Sequence, residues 1–171
     1  GKTGKKTNAN QGDLDYWLWK MNEDGDLEWQ KSYGGSGSDL LQRIELTNDG
    51  GYILAGISNS LKGADKKDTS LGGDDYWIIK LDAKGGEQWQ RTIGGKGQEQ
   101  LYSIMQTADG GYIIGGASSS DAIASDESGE HKKYSKNQNS FGNLDYWVVK
   151  LDSKGEIEWQ SSFGGKFADV V

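Results

Sequence analysis

The fold of this chain is decided by one stretch, Asp75-Tyr76-Trp77-Ile78-Ile79-Lys80-Leu81-Asp82, because its opening motif recurs along the sequence. Asp-Tyr-Trp also occupies residues 15–17 and 145–147, so the copies are 60 and then 70 residues apart. A tryptophan follows each copy at a fixed distance, at Trp29, Trp89 and Trp159. Repetition at this interval predicts tandem structural units rather than one globular core.

Two further markers repeat in phase with the first. Gly-Gly pairs stand at 34–35, 94–95 and 164–165, and Asp-Gly-Gly-Tyr-Ile stands at 49–53 and 109–113. Because these markers keep the same order, the ten extra residues of the longer interval must lie between Ile113 and Asp145.

Each repeat is predicted to contain four short strands, because runs of β-branched, aromatic and aliphatic residues alternate with Gly, Asn and Asp clusters. The predicted strands are 41–47, 51–58, 75–81 and 87–93, and then 101–107, 111–118, 145–151 and 157–163. Asp49-Gly50 and its counterpart Asp109-Gly110 indicate tight hairpin turns of the two-residue type, in which glycine supplies a positive φ angle.

The third strand of each repeat has apolar residues on both of its faces. Tyr76 and Ile78 point one way, whereas Trp77, Ile79 and Leu81 point the other. A sheet built in this way must be covered on both sides, as each four-stranded antiparallel blade of a β-propeller is. The predicted fold is therefore all-β, an arc of β-propeller blades with two complete blades and two partial ones.

The phase of the repeat gives the predicted domain boundaries. Residues 1–35 form a partial blade with its last two strands, 36–95 and 96–165 form complete blades, and 166–171 start another. The second complete blade contains a long loop at 118–143. Because propellers close with about four to eight blades, we expect the remaining blades of a longer chain, or a partner, to cover the open edges.

Composition narrows the classes of function. The 171 residues include 27 glycines but no proline or cysteine, which excludes disulfide and thiol chemistry. The net charge of −7 opposes binding to nucleic acid phosphates, so we expect no nucleic acid partner. No apolar run reaches the roughly 20 residues of a membrane helix, and the chain is predicted not to span a membrane.

The segments 75–82, 89–95 and 109–113 resemble a family of repeat proteins from Bacteroidetes. The resemblance covers about residues 13–169 and implies a secreted or cell-surface β-propeller of the kind that often ends in a type IX secretion sorting domain. Asp82, Gly85 and Trp89 are also similar to a motif of quinoprotein propellers whose tryptophan docks one blade on the next. That similarity implies a shared structural device, and we expect no cofactor.

The long loop holds the weak candidates for ligand contact. They are Asp121, Asp126, Glu127, Glu130 and His131, the single histidine of the chain. A histidine among carboxylates suggests a metal site or a general base. However, the low hydrophobicity of 118–143 favours a solvated, mobile loop, with ligand contact as the alternative.

Two repeated charge patterns are interpreted as structural. Segment 22–28 places oxygen ligands at alternate positions like a calcium loop, but lysine replaces a ligand in the later copies, so a hairpin turn is favoured. A carboxylate precedes each Tyr-Trp and a lysine follows five residues later, as in Asp75 and Lys80. Because this pair recurs in every repeat, it predicts a structural hydrogen bond or a charge pair at the strand end.

The lysine clusters of the loops and the repeated tryptophans of the strands are not assigned to binding sites. Two basic clusters in equivalent loops are predicted to be solvated: Lys2, Lys5 and Lys6, and Lys62, Lys66 and Lys67. Six tryptophans recur in register and are predicted to be core residues, and Trp19 is predicted to be a larger core residue in place of Ile79.

The predicted function is a noncatalytic binding or scaffold module of an exported bacterial cell-surface protein, with loops that bind a protein or a glycan. No catalytic or metal-binding residue is assigned. One alternative is part of a glycan-active or quinoprotein-like propeller enzyme whose active site lies outside these residues. A second is a structural subunit of an outer-membrane assembly.

Overall fold

The computed structural model describes residues 10–123 and 133–169, which form three antiparallel sheets. The strands are β1 (Tyr16–Met21), β2 (Leu27–Tyr33), β3 (Asp39–Leu46), β4 (Tyr52–Ser58), β5 (Asp75–Leu81), β6 (Glu87–Ile93), β7 (Glu99–Gln106), β8 (Tyr112–Ser118), β9 (Asp145–Leu151) and β10 (Ile157–Phe163). β1 and β2 form a hairpin, and β3–β6 and β7–β10 form four-stranded meanders in which each strand pairs with the next. The predicted all-β fold with four strands per complete repeat is confirmed.

The strands lie close to their predicted positions, except that the first strand of each sheet begins two residues earlier. The N–H of Asp39 donates to the carbonyl of Leu14 at 2.8 Å, and the N–H of Glu99 donates to the carbonyl of Asp74 at 2.7 Å. These bonds to the preceding repeat extend β3 and β7 through polar residues that hydrophobic patterning alone does not assign to a strand.

The predicted two-residue turns are wrong, because each hairpin loop is one residue longer. The N–H of Gly50 donates to the carbonyl of Thr47 at 2.8 Å, while the Thr47 N–H donates to the carbonyl of Gly51 at 3.0 Å. Gly50 has a φ of 76°, and the residues before it do not have positive φ. A type I turn followed by one left-handed glycine gives this geometry and keeps the strands twisted correctly.

The sheets stack face to face, and the middle sheet is covered on both sides. One apolar cluster joins Tyr16 and Leu18 of the hairpin to Trp77 and Ile79 of the middle sheet. A second cluster joins the opposite face of the middle sheet to Leu101, Ile104, Trp147 and further residues of the β7–β10 sheet. The predicted burial of both faces of β5 is confirmed, since all seven of its residues are buried.

A tyrosine ring and a glycine form the closest part of each junction between sheets. The Tyr16 ring lies 4.9 Å from that of Trp77, and its hydroxyl donates to the Trp77 carbonyl at 3.0 Å. One repeat later the Tyr76 ring stacks on Trp147 at 5.1 Å. The Tyr76 hydroxyl lies so close to Gly116 that a β-carbon there would be 2.3 Å from it. Glycine on β4 and β8 therefore makes room for the tyrosine of the preceding sheet.

The tryptophans do not all lie in the core. Trp77 and Trp147 are fully buried, but Trp17, Trp19 and Trp159 are 39%, 50% and 48% exposed. The core prediction for these three, Trp19 included, is wrong because each lies on a face or edge that no other sheet of the described chain covers. Trp89 is partly buried and packs on the turn glycine of the next repeat, Gly155, as Trp29 packs on Gly85.

The stack of three sheets is not closed into a ring within the described residues. The backbones of neighbouring four-stranded sheets approach most closely where β7 meets β3 and β4. No helix in the described part of the chain is long and apolar enough to cross a membrane.

The tyrosine–glycine contact predicts different effects of two adjacent substitutions. Gly116→Ala should lower the free energy of unfolding by about 1–3 kcal/mol, because the new methyl group would clash with the Gln100 carbonyl and the Tyr76 hydroxyl. Gly115→Ala is the matched control and should stay within about 1 kcal/mol, since its nearest neighbour is the Ser103 side chain and the preceding repeat has Ala55 there. Urea unfolding measures both, and equal losses would contradict the packing described.

Candidate functional site

A cavity of about 420 Å³ opens where the loops of two successive repeats meet the outer strand of the middle sheet. Loop 59–74 contributes Lys62, Lys67 and Thr69 to its wall. Arg91 and Thr92 of β6 line it as well, and Tyr134 comes from loop 119–144. The cavity therefore combines a strand with loops from both complete repeats.

Arg91 is held in place by hydrogen bonds to the neighbouring sheet. Its Nε donates to the carbonyl of Gly155 at 3.1 Å, and its Nη2 donates to the carbonyl of Lys154 and to Glu156 Oε1 at 3.0 and 2.9 Å. The guanidinium also lies over the Tyr134 ring, 5.1 Å from its centre. This positioned guanidinium fixes the shape of the inner wall.

Tyr134 completes that wall through Glu156. The Tyr134 hydroxyl donates to Glu156 Oε1 at 3.0 Å, and burial, together with this carboxylate, raises the pKa of the Tyr134 hydroxyl. Burial opposes ionisation of Glu156, but hydrogen bonds from Lys133, Tyr134 and Arg91 outweigh it and lower the pKa of that carboxyl. The group therefore stays ionised and holds one arginine and one tyrosine together.

The rim is anchored to β6 through Gln90. Gln90 Oε1 accepts the backbone N–H of Lys67 at 3.0 Å, and its Nε2 donates to the carbonyl of Asp65 at 2.8 Å. The Lys67 ammonium forms an ion pair with Glu87, whereas Lys62 is exposed at the entrance. Thr92 of β6 also lines the cavity, but its hydroxyl is buried and has no hydrogen-bond partner in the described part of the chain. The cavity thus offers a polar ligand both charged and neutral hydrogen-bonding groups.

The structure separates the sequence candidates of the long loop from this cavity. Asp121 is exposed, accepts the Ser140 N–H at 3.1 Å and does not line the cavity. The other four candidates, Asp126, Glu127, Glu130 and His131, lie outside the described residues.

The prediction of a solvated loop is wrong for the described segment around Ser135. Ser135 and Lys136 are buried, and the Lys136 N–H donates to the carbonyl of Gly94 at 2.8 Å. The N–H of Gly94 in turn donates to the carbonyl of Tyr134 at 3.2 Å. Pairing with backbone at the end of β6 thus fixes this part of the loop.

A pair of carboxylates lies at each junction between sheets. The sequence analysis identified only one member of this pair. The aspartate before Tyr-Trp, such as Asp75, has a second carboxylate 24 residues later, here Glu99, and this spacing repeats in all three copies. The first member accepts the N–H of the residue four before it, as Asp75 does from Leu71 at 2.5 Å. The second member does the same, as Glu99 does from Gly95 at 3.2 Å. The recurring spacing of 24 was the signal that could have revealed the pair.

Asp75 and Glu99 share a site that is closed to water. Both are fully buried, and their oxygens occupy the space that a β-carbon would need at Gly94. Asp75 Oδ1 has no donor nearby in the described structure, while Glu99 Oε1 accepts hydrogen bonds from Ser118 and Ser120, both at 2.7 Å. Burial, and then the contact with Glu99, raises the pKa of the Asp75 carboxyl from 3.8 to about 8. A proton retained by this pair at neutral pH would give Asp75 Oδ1 the donor that it lacks.

The predicted solvation of Lys66 is wrong, because this lysine is buried beside the carboxylates. Its ammonium donates to the hydroxyls of Ser58 and Ser70 at 2.7 and 2.8 Å, and burial lowers its pKa to about 8. Lys136 occupies the same place one repeat later and donates to Ser140 at 3.0 Å. A lysine nine residues before each Asp-Tyr-Trp was the available sequence signal, and Lys6, which also fits it, lies outside the described residues.

The remaining charge patterns have structural roles, as predicted, but Asp75 and Lys80 do not pair with each other. Asn22 Oδ1 accepts the N–H groups of Asp24 and Asp26 at 3.1 and 2.8 Å, which makes segment 22–28 a hairpin turn. Lys80 forms an ion pair with Asp49 at 2.9 Å at one end of β5, while Asp75 accepts the Leu71 N–H at the other end. Among the described residues, no group of three or more His, Cys, Asp or Glu side chains is arranged to hold a metal ion.

Comparison with known proteins adds no identity to this description. No protein-family model matches the sequence, and no curated protein matches it either.

The shared proton predicts how stability depends on pH. The unfolded Asp75 carboxyl loses its proton near pH 4, whereas the folded one keeps it to about pH 8. The unfolded state therefore binds fewer protons in this window, and the free energy of unfolding falls as pH rises through it. Asp75→Asn keeps this side chain neutral at every pH. The free energy of unfolding of the variant should therefore rise relative to that of the wild type by more than about 2 kcal/mol between about pH 5 and pH 8.

Chemical unfolding at several pH values measures this difference. Asp24→Asn, at an exposed turn, is the control and should follow the wild-type pH profile. Parallel profiles for wild type and Asp75→Asn would show that the buried pair holds no shared proton.

Proposed function

We propose that this chain is part of a β-propeller that serves as a noncatalytic binding module of an exported bacterial cell-surface protein. In this proposal the three sheets are consecutive blades, and the remaining blades belong to a longer chain or to a partner. The cavity lined by Arg91 and Tyr134 holds a polar ligand, either a glycan or a segment of protein.

The repeated junctions support the arrangement as blades. Tyr16 and Tyr76 each pack on the tryptophan of the next sheet, and Trp29 and Trp89 pack on corresponding turn glycines, so the same side chains join successive sheets. The backbone approach between the four-stranded sheets is made by the first strand of one sheet, β7, against β3, β4 and β5 of the other. Propeller blades radiate from an axis with their first strands innermost, so in the proposed arrangement β7 lies nearest that axis.

The observation that carries the binding function is the construction of the cavity. Ligand sites typically combine a preformed concave wall with a few placed polar groups. Here Arg91 is positioned by three acceptors on the next sheet, and Lys62, Thr69 and Tyr134 supply further polar groups to the wall. Among the described residues that line it, Asp68 is the only carboxylate, whereas hydrolysis of a glycosidic bond ordinarily uses two. This composition favours binding over turnover.

The cavity can be tested with an array of neutral and acidic oligosaccharides and surface-protein peptides. We expect wild-type protein to bind a member of the array and to return it chemically unchanged. Thr69→Trp, which fills the cavity, and Lys62→Glu, at its entrance, should each weaken binding at least about tenfold. Lys84→Glu, on an exposed hairpin turn, is the control of equal charge change and should bind as wild type does.

Three results would count against the proposal. Unchanged binding by both cavity variants would place the ligand elsewhere. Conversion of the bound compound to a product would show catalysis. Failure to bind any member of the array would leave the cavity without the polar ligand assigned to it.

A further inference from the structure

The two ends of the stack present apolar faces that match the two sides of its internal junction. The outer face of the β7–β10 sheet carries Tyr146, Val148 and Phe163, and Phe163 is 56% exposed. The counterparts of these residues in the middle sheet, Tyr76, Ile78 and Ile93, are all fully buried under the next sheet. We call the outer face of the β7–β10 sheet the trailing face.

The hairpin at the other end shows the complementary half of the same junction. Trp17, Trp19 and Met21 of β1 are 39%, 50% and 46% exposed. The counterparts of these residues on β9, Trp147, Val149 and Leu151, are fully buried against the middle sheet. We call this surface of the hairpin the leading face. Exposed apolar patches of this kind commonly mark sites of protein association.

We propose that the trailing face of one copy of this chain binds the leading face of a second copy, head to tail. The second copy would repeat the internal junction, with Trp17 on Tyr146 as Trp147 stacks on Tyr76. Trp159 would pack on the turn glycine Gly25 of the second copy, as Trp89 packs on Gly155. We therefore assign a second copy of the chain to the trailing face, because the chain already forms this kind of junction between its own sheets.

The geometry of the strands also fits this occupant. Tyr146, Val148 and Phe163 lie on the third and fourth strands of their sheet, β9 and β10. The hairpin corresponds to the third and fourth strands of a repeat, so it supplies the counterpart of the β9 and β10 surface, while the tyrosine–glycine contact made by a second strand is absent from this junction. The Arg91–Glu156 ion pair of the internal junction is replaced by Ser161 and Asp26, so the new contact brings no like charges together.

A heterologous contact of this kind has a distinctive signature in solution. Sedimentation velocity of the 171-residue protein from about 1 to 100 µM should show concentration-dependent association. Phe163→Glu removes the trailing face and Trp19→Glu removes the leading face, so each variant alone should be monomeric, with Kd raised at least about tenfold. An equimolar mixture of the two should form a dimer and nothing larger, because one intact junction remains.

The controls separate this proposal from other modes of association. Leu46→Glu changes an equally apolar residue, 72% exposed, that lies on neither face, and should associate as wild type does. Circular dichroism checks that each variant is folded. Dimerisation of Trp19→Glu alone would show that two trailing faces meet symmetrically, and a monomeric wild type would show that a different partner covers them. Either result overturns the proposal, and neither bears on ligand binding in the cavity.

Discussion

The architecture depends on the coverage of both faces of each sheet. In β5 successive side chains point to opposite faces, and all are buried, so this strand is stable only between two other sheets. The contact that sets the spacing is a tyrosine ring against a glycine, with Tyr16 beside Gly56 and Tyr76 beside Gly116. Because a methyl group at either glycine would clash, the distance between sheets is fixed by the absence of a side chain. The sequence of each repeat therefore determines how the next sheet packs against it, as well as the positions of its own strands.

Stacking also forces polar groups into the junction, and their arrangement follows from the path of the chain. Each four-stranded sheet begins where its first strand bonds to the loop of the preceding repeat, and at the junction between these two sheets a carboxylate from each side is buried there. Glu99 bonds to two serine hydroxyls, while Asp75 faces it with an oxygen that has no hydrogen-bond partner in the described structure. Burying such a pair costs free energy unless the charge is reduced. The same loops that enclose these groups also line the cavity, so the cavity lies next to this junction.

Much of the fold could be predicted from the sequence because the repeat supplies internal comparisons. The alternation in Tyr76–Leu81 correctly indicated two buried faces, and the third and fourth strands were placed to the residue. Hydrophobic patterning could not place Asp39 and Glu99 at strand starts, since their bonds are made to a preceding repeat. It also could not show that Trp19 and Trp159 are exposed, because exposure depends on which neighbours a sheet has. The cavity was missed because Arg91 and Tyr134 come from separate repeats with no shared motif, and Lys66 was missed because a lysine pattern usually indicates solvated charge.

Amide hydrogen exchange measured strand by strand tests the central claim most directly, namely that coverage of both faces determines stability along the stack. The strands β5, β9 and β1 have equivalent places in the repeat but differ in coverage. β5 is covered on both faces, β9 on one, and β1 lies in a two-stranded hairpin. At a protein concentration low enough to keep single copies, the account predicts the slowest exchange in β5, faster exchange in β9 and the fastest in β1. Exchange in β1 as slow as in β5 would contradict it.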